Sequence, residues 1–287
     1  MTDGQGGGST VRRIQLGSRL RALRQAKGLS REQAGHPIRA SESKISRMEL
    51  GRVGFKERDI DDLLTLYGVT DQAERDQMLA LLRQANQPSW WHSFGDVEAW
   101  FQNYLDLEQA AELIRSYEIQ FVPGLLQTDA YARAVISLGF GEAGEEEIDR
   151  RARLRMARAA LLRRPDAPRM WVVLDEAVLR RTIGGRAVLR EQIEALIVAS
   201  EMPNVQIQVM PFAAGGHAAA GGAFSILRFP YEELSDVVYI EHLTSGLYLD
   251  KQEDVDQYAA AIGRLFIEAA PLSRTGDILR GIRADLA

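Results

Sequence analysis

The stretch LGSRLRALRQAKGLSREQAGHPIRASESKISRMELGR, residues 16–52, decides how the first part of this chain must fold. Leu16, Leu20 and Leu23, with Ile14 just ahead of them, recur at helical spacing, and Arg13, Arg19, Arg21, Arg24 and Lys27 surround that apolar stripe. Gly28 supplies the stop, because glycine enters the left-handed conformation that closes a helix at little steric cost. Ser30 followed by Glu32 and Gln33 predicts an N-cap with a capping-box glutamine, and hence a second short helix from Arg31 to about Gly35. Pro37 disfavours helix at His36, which clips that helix and reshapes the turn behind it. Ser41, ahead of Glu42, Ser43 and Lys44, is a second N-cap. Ile45 and Met48 share one face of the helix it opens, and Gly51 closes it. Two short capped helices joined by a tight connection, the second beginning with small polar residues, make a helix-turn-helix.

Charge points the same way. The chain carries a net −5, which argues against a polyanionic partner only if it is spread evenly. Between Val11 and Arg58 there are 13 Lys+Arg against 4 Asp+Glu, whereas the rest of the chain has 22 against 36. A basic segment joined to an acidic body is the asymmetry expected of a DNA-binding head on a body that does not bind DNA.

The residue types from Leu29 through Glu49 match, at many fixed offsets, those of the Xre (lambda-repressor-like) helix-turn-helix family, which this segment resembles. His36-Pro37 stands where that family continues its first motif helix, so the docking angle is expected to differ. The resemblance implies that the helix from Ser41 to Leu50 enters the major groove of double-stranded DNA N-terminus first. It places Glu42, Ser43 and Arg47 at base edges, where a guanidinium such as that of Arg47 can donate twice to guanine. Arg31, Lys44, Ser46, Arg52 and Lys56 fall at phosphates, which fix register without reading sequence. Glu49 is matched by an acid that pairs internally with an arginine of the first helix, here Arg24.

At 287 residues the chain is long enough for two domains, and 46% apolar residues suffice for real cores. Residues 1–10 are Gly-rich and polar and read as a disordered tail without a signal peptide. Residues 11–70 form the mainly α head. The periodic run from Asp71 to Ala85, broken by Pro88-Ser89-Trp90-Trp91, gives a helical linker over 71–92, with the tryptophans as packing anchors. From residue 93 to 287 helices alternate with short strands: a long helix from Val97 to Ser116, a strand from Tyr117 to Val122, helices from Thr128, Glu145 and Ala187, and strands at Met170–Leu174, Val205–Met210, Ala223–Phe229 and Val237–His242. Helices over Val255–Ala270 and Arg274–Ala284 close the chain. Closely spaced late strands predict an α+β domain with a partly antiparallel sheet.

Within that domain VPGLLQTDAYARAVI (Val122–Ile136), VLDEAVLRRTIGG (Val173–Gly185), QVMPFAAGGHA (Gln208–Ala218) and DVVYIE (Asp236–Glu241) are similar to the uncharacterised domain that follows an Xre-type head in a large actinobacterial family of regulators, often described as antitoxin-like. The resemblance implies regulation, often beside a small co-encoded partner protein.

An enzyme is not expected. Among His92, His217 and His242 no two have a metal-ligand spacing, and no serine sits in a nucleophile elbow. Glu241-His242 and Asp175-Glu176 are adjacent, which on a strand points their side chains to opposite faces. Gly215-Gly216-His217 with Gly221-Gly222 reads as a turn, and Arg180-Arg181 beside Gly184-Gly185 as a solvated helix end. No metal or cofactor is expected. The absence of cysteine excludes disulfides and fits a reducing interior, and no apolar run is long enough for a bilayer; the expected place is the cytoplasm, on the nucleoid when bound. The leading expectation is a sequence-specific, homodimeric transcription regulator whose larger domain receives a signal. The alternatives are an antitoxin-like protein that binds a small co-encoded partner and regulates itself through DNA, and a small-molecule sensor or enzyme built on the larger domain.

Overall fold

A computed structural model describes residues 9–51, 53–139, 144–219, 221–231 and 234–286. Most of the expected N-terminal tail lies outside these residues, and helix already begins at Ser9. The chain divides into two compact units. One comprises residues up to His92 with Gln102–Ala110, Tyr231 and Leu234, and the other comprises Ser93–Phe101, Ala111–Pro230 and Ser235 onward.

In the first unit α1 (Ser9–Ala26), α2 (Arg31–Gly35), α3 (Glu42–Glu49), α4 (Glu57–Tyr67) and α5 (Gln72–Ala85) follow one another. Ser30 accepts from Gln33 N while Gln33 returns a bond to Ser30 N, a complete capping box, and Ser41 accepts from Lys44 N. α2 stops at Gly35, and the connection closes when Ala40 N donates to Gly35 O at 2.9 Å, with Arg39 at φ 51°. A Cβ on Gly35 would stand 2.2 Å from Ala40 O, so this turn needs glycine there.

Leu16, Leu20, Ala34, Ile45, Met48, Phe55, Ile60, Leu63 and Leu64 are buried in one cluster with Met78 and Leu82. The last two belong to α5. The sequence reading of residues 71–92 as a linker is therefore corrected: α5 is a fifth helix of the head, its apolar stripe used up inside that core. A second correction concerns Gln102–Ala110, expected in the larger domain, which groups with the first unit.

The second unit is built on a six-stranded sheet of order β3-β2-β1-β4-β5-β6, with β1 Leu113–Glu118, β2 Arg169–Asp175, β3 Val205–Met210, β4 Phe224–Arg228, β5 Val237–Glu241 and β6 Gly246–Leu249. β1, β2 and β3 run parallel, and β1-β4, β4-β5 and β5-β6 are antiparallel. The parallel strands are linked by α7 (Asp129–Gly139) and α8 (Glu145–Ala159), then by α9 (Glu176–Arg180) and α10 (Arg186–Ala199); α11 (Gln252–Glu268) and α12 (Leu272–Ala284) follow the sheet. Tyr117, Val173, Met210, Phe224, Ile226 and Val238 share a core with Val255, Ile262 and Leu265 of α11. The β3 edge is covered, since Ala270 N donates to Val209 O and Thr275 Oγ1 to Ile207 O, which removes an exposed row of backbone groups.

The expected helix from Val97 to Ser116 ends at Ala110 as α6 (Ala99–Ala110), and the expected strand at Tyr117–Val122 lies earlier, at Leu113–Glu118. Ile114 continues the helical spacing of Leu107 and Ala111, but pairing with β2 and β4 on both sides satisfies six residues of backbone and wins. β6 was not foreseen, and of α9 only its end at Arg180 was. Among the described residues no helix is long and apolar enough to cross a membrane.

α1 and α3 meet at backbone distance. A Cβ on Gly17 would lie 2.4 Å from Met48 O and 2.7 Å from Glu49 O, and neither carbonyl is a side chain that can swing away. Gly17→Ala is therefore expected to lower the stability of the head by about 1–3 kcal/mol, read by urea unfolding; an unchanged midpoint would show that the two helices can part.

Candidate nucleic-acid interface

Three residues of α3 turn inward, Ile45, Met48 and Glu49, and the first two fill the core. Periodicity then dictates what is left outside. Ser43 and Arg47, four residues apart, share the opposite face, with Glu42 also exposed and Ser46 half-buried. Arg47 makes no side-chain hydrogen bond or ion pair with any described residue. Ser43 Oγ lies 3.0 Å from Ser41 Oγ. The chosen readers Glu42, Ser43 and Arg47 thus stand together on one accessible surface at the leading end of a capped helix.

Glu49 is 5% exposed and Arg24 7%. Arg24 Nε donates to Glu49 Oε1 at 2.5 Å and Nη2 to Oε2 at 3.1 Å, a two-pronged contact, while Nη1 donates to Leu29 O at 2.6 Å. The bond to Glu49 raises the Arg24 pKa against the lowering effect of burial. Burial, then the Glu49 charge, pushes the Tyr67 hydroxyl up to about 12. Arg31 Nε also reaches Glu49 Oε2, at 3.2 Å, and Lys44 Nζ pairs with Asp59 Oδ2 at 3.1 Å. Of the cations read as phosphate contacts, then, Arg31 and Lys44 are engaged with carboxylates of their own unit. Lys56 is exposed ahead of α4, and Arg52 lies outside the described residues. Sequence reasoning missed these two pairs, which join residues 18 and 15 positions apart, beyond the reach of helical spacing.

The larger unit holds one constellation that no local motif announced. Tyr117 Oη lies 2.8 Å from His217 Nε2 and 3.2 Å from Asp175 Oδ2. Ala219 N donates to His217 Nδ1 at 3.3 Å, so the Nε2 proton faces Tyr117, which donates onward to Asp175. Asp175 Oδ1 in turn caps α9 by accepting from Ala177 N at 2.8 Å. Burial, then the Asp175 charge, raises the Tyr117 pKa. The expectation that Asp175 and Glu176 point to opposite faces of a strand is corrected, because the strand ends at Asp175 and Glu176 begins a helix. Glu176 holds Arg180 at 2.6 Å and accepts from Phe212 N at 2.9 Å. These bonds fasten the segment after β3 to the ends of β1 and β2. Among the described residues no group of three His, Cys, Asp or Glu is arranged to hold a metal ion.

Two family models match the chain. One described as a helix-turn-helix domain covers residues 15–78, which includes α5, and one described as a domain of unknown function, DUF5753, covers residues 101–281. The chain belongs to the DUF5753 family. Comparison with curated proteins and with solved structures finds no match. The DUF5753 match spans all six strands of the mixed sheet and α7 to α11, and with the helix-turn-helix ahead of it the makeup is that of a DNA-binding regulator.

Removing Glu49 strands two guanidinium groups, one of them buried. Glu49→Ala is expected to cost about 3–5 kcal/mol of stability in the head, with Glu49→Gln intermediate. A melting temperature unchanged in Glu49→Ala, alongside an altered DNA preference, would move Glu49 from structural anchor to base reader.

Proposed function

We propose that the chain is a sequence-specific transcription regulator of the Xre, lambda-repressor-like type, acting as a homodimer, with α3 read into the major groove and the DUF5753 domain receiving a signal or partner without catalysis of its own. The observation that carries this reading is the exposed row of Glu42, Ser43 and Arg47 on a helix whose other face is locked by the Arg24–Glu49 pair. The Ser41 cap uses the N–H of Lys44, leaving the N–H groups of Glu42 and Ser43 at the positive end of the helix dipole, a favourable place for a phosphate. Arg47 is the direct reader, Glu42 and Ser43 supply acceptors to neighbouring bases, and Lys56 and Ser46 hold the strand. Arg31 and Lys44 support the interface from behind, each keeping a carboxylate from facing the DNA. One such head spans only a half-site, which is the argument for a dimer.

Selection of bound sequences from random DNA, followed by affinity measurements over a range of salt, tests the reading. Arg47→Ala is expected to cost about 1–3 kcal/mol and to relax preference at one base position, whereas Lys56→Ala weakens all sequences alike and lowers the salt slope by about one. Equal weakening on every sequence by Arg47→Ala would reassign it to the backbone, and failure of the intact protein to bind duplex DNA at low ionic strength would end the proposal.

A further inference from the structure

The turn between α2 and α3 holds one backbone feature that the fold does not explain by itself. Arg39 has φ 51°, and every other positive φ among the described residues belongs to a glycine. The hydrogen bonds show what imposes it. Ala40 N donates to Gly35 O at 2.9 Å and Arg39 N to His36 O at 3.2 Å. That nested pair is a Schellman motif, which needs a left-handed residue at the position Arg39 fills. Glycine is the usual choice there, because an L side chain in that conformation crowds its own backbone; asparagine comes next. The turn is too tight to escape the requirement, since a Cβ on Gly35 would already stand 2.2 Å from Ala40 O.

No contact within the protein accounts for an arginine at this position. Arg39 is exposed, and its side chain makes no hydrogen bond, ion pair or ring contact with any described residue. The residues on either side of it, Ile38 and Ala40, both pack against the core of the head. A strained backbone with no compensating contact in the folded chain points to a partner outside it. Its place in the head says which partner. Arg39 stands two residues ahead of Ser41, the cap of α3, so the chain passes through it just before the helix proposed to enter the groove. Other cations of this region are engaged, Arg31 with Glu49 and Lys44 with Asp59. Lys56, exposed, follows α3. An exposed cation therefore lies on each side of α3 in the chain, and the walls of a DNA groove are lined with phosphates.

We propose that Arg39 is a contact to the DNA backbone: its guanidinium holds a phosphodiester at the wall of the groove that α3 enters, and the left-handed turn sets the direction from which it reaches. The contact rests on the reading of α3 as the DNA helix and adds a residue to it. A guanidinium donates to phosphate oxygens through two parallel bonds, and a phosphate held at this point fixes register without reading sequence.

The test uses the full chain and duplexes selected from random DNA. Arg39→Gly, Arg39→Asn and Arg39→Lys are compared with the unmodified protein by thermal melting and by affinity over a range of salt. Glycine and asparagine both suit a left-handed turn, so these two variants are expected to melt at or above the temperature of the unmodified protein. Their affinity for DNA is expected to fall about tenfold at low salt, the loss of one charge-assisted bond. The loss should be equal on all duplexes, and the salt slope should drop by about one. Arg39→Lys keeps the charge and therefore the slope. A side chain that only supported the fold would not weaken binding while leaving the melting temperature unchanged or raised. Unchanged affinity and salt slope in Arg39→Gly overturn the proposal and leave the reading of α3 standing. A melting temperature lowered in both Arg39→Gly and Arg39→Asn overturns it too, by placing the role of the side chain within the fold, and so does a loss confined to one base position. Intact protein that binds no duplex at low ionic strength ends the reading of α3 itself, and this contact with it.

Discussion

The orientation of α3, the helix proposed to read DNA, depends on one buried carboxylate. Glu49 sits on the inner face of α3, where its charge would be intolerable alone, and Arg24 answers it with two parallel bonds from α1. A salt bridge of this kind is weak evidence of added stability, because well-packed apolar residues could serve as well. What it adds is direction. A guanidinium fork accepts a carboxylate in one plane and one register, and the glycine at position 17 lets the α3 carbonyls come against α1 without a side chain between. Together they fix the rotation of a helix only eight residues long. Rotation is what matters here, since a turn of about 100° would exchange Arg47 for a residue of the core.

The larger unit shows two ways of ending a strand. On one face of β1 His217, Tyr117 and Asp175 pass a chain of hydrogen bonds that finishes at the start of α9, although Arg115 Nε on the same face is buried without a hydrogen-bond partner. That face also carries the main apolar core with α11, and a closed polar chain at its rim adds rigidity without demanding a ligand. On the other face the buried Ser116 Oγ has no hydrogen-bond partner. Both faces of β1 thus hold a buried polar atom without a partner, so an unanswered group does not by itself mark a site.

Much of the head could be read directly from its residues, because its signals are local. Caps at Ser30 and Ser41 and the closing glycines each act within four residues of where they are written, whereas His36 keeps right-handed helical angles (φ −56°, ψ −53°) despite Pro37, so the expected effect of the proline on His36 is corrected: α2 ends at the turn that Ala40 closes. The fate of α5 could not be read this way. Its apolar stripe was plain, but a stripe does not say which core it joins, and only the three-dimensional arrangement carries Met78 and Leu82 into the cluster of α1 and α4. The same limit displaced β1. Its residues fit helical spacing as a continuation of α6, and strand pairing with partners 56 residues away on β2 and 107 to 115 away on β4 settles the matter. The Tyr117–His217–Asp175 chain joins residues separated by 58 and 100 positions, and no spacing rule reaches that far.

The positive charge of the head is also less available than its sequence suggests. Of the 13 Lys and Arg between Val11 and Arg58, Arg24 and Arg31 are spent on Glu49 and Lys44 on Asp59. Arg58 lies 3.7 Å from Asp62 one turn along α4, an exposed pair that solvent and salt screen. Counterion release counts phosphates actually neutralised, not cations present. On the proposed reading the salt slope of DNA binding is governed by the cations that remain beside α3, and the internal pairs make a second contribution of their own: by neutralising Glu49 and Asp59 they remove negative charge from behind α3, so that an approaching phosphate would meet Arg47 and the helix N-terminus.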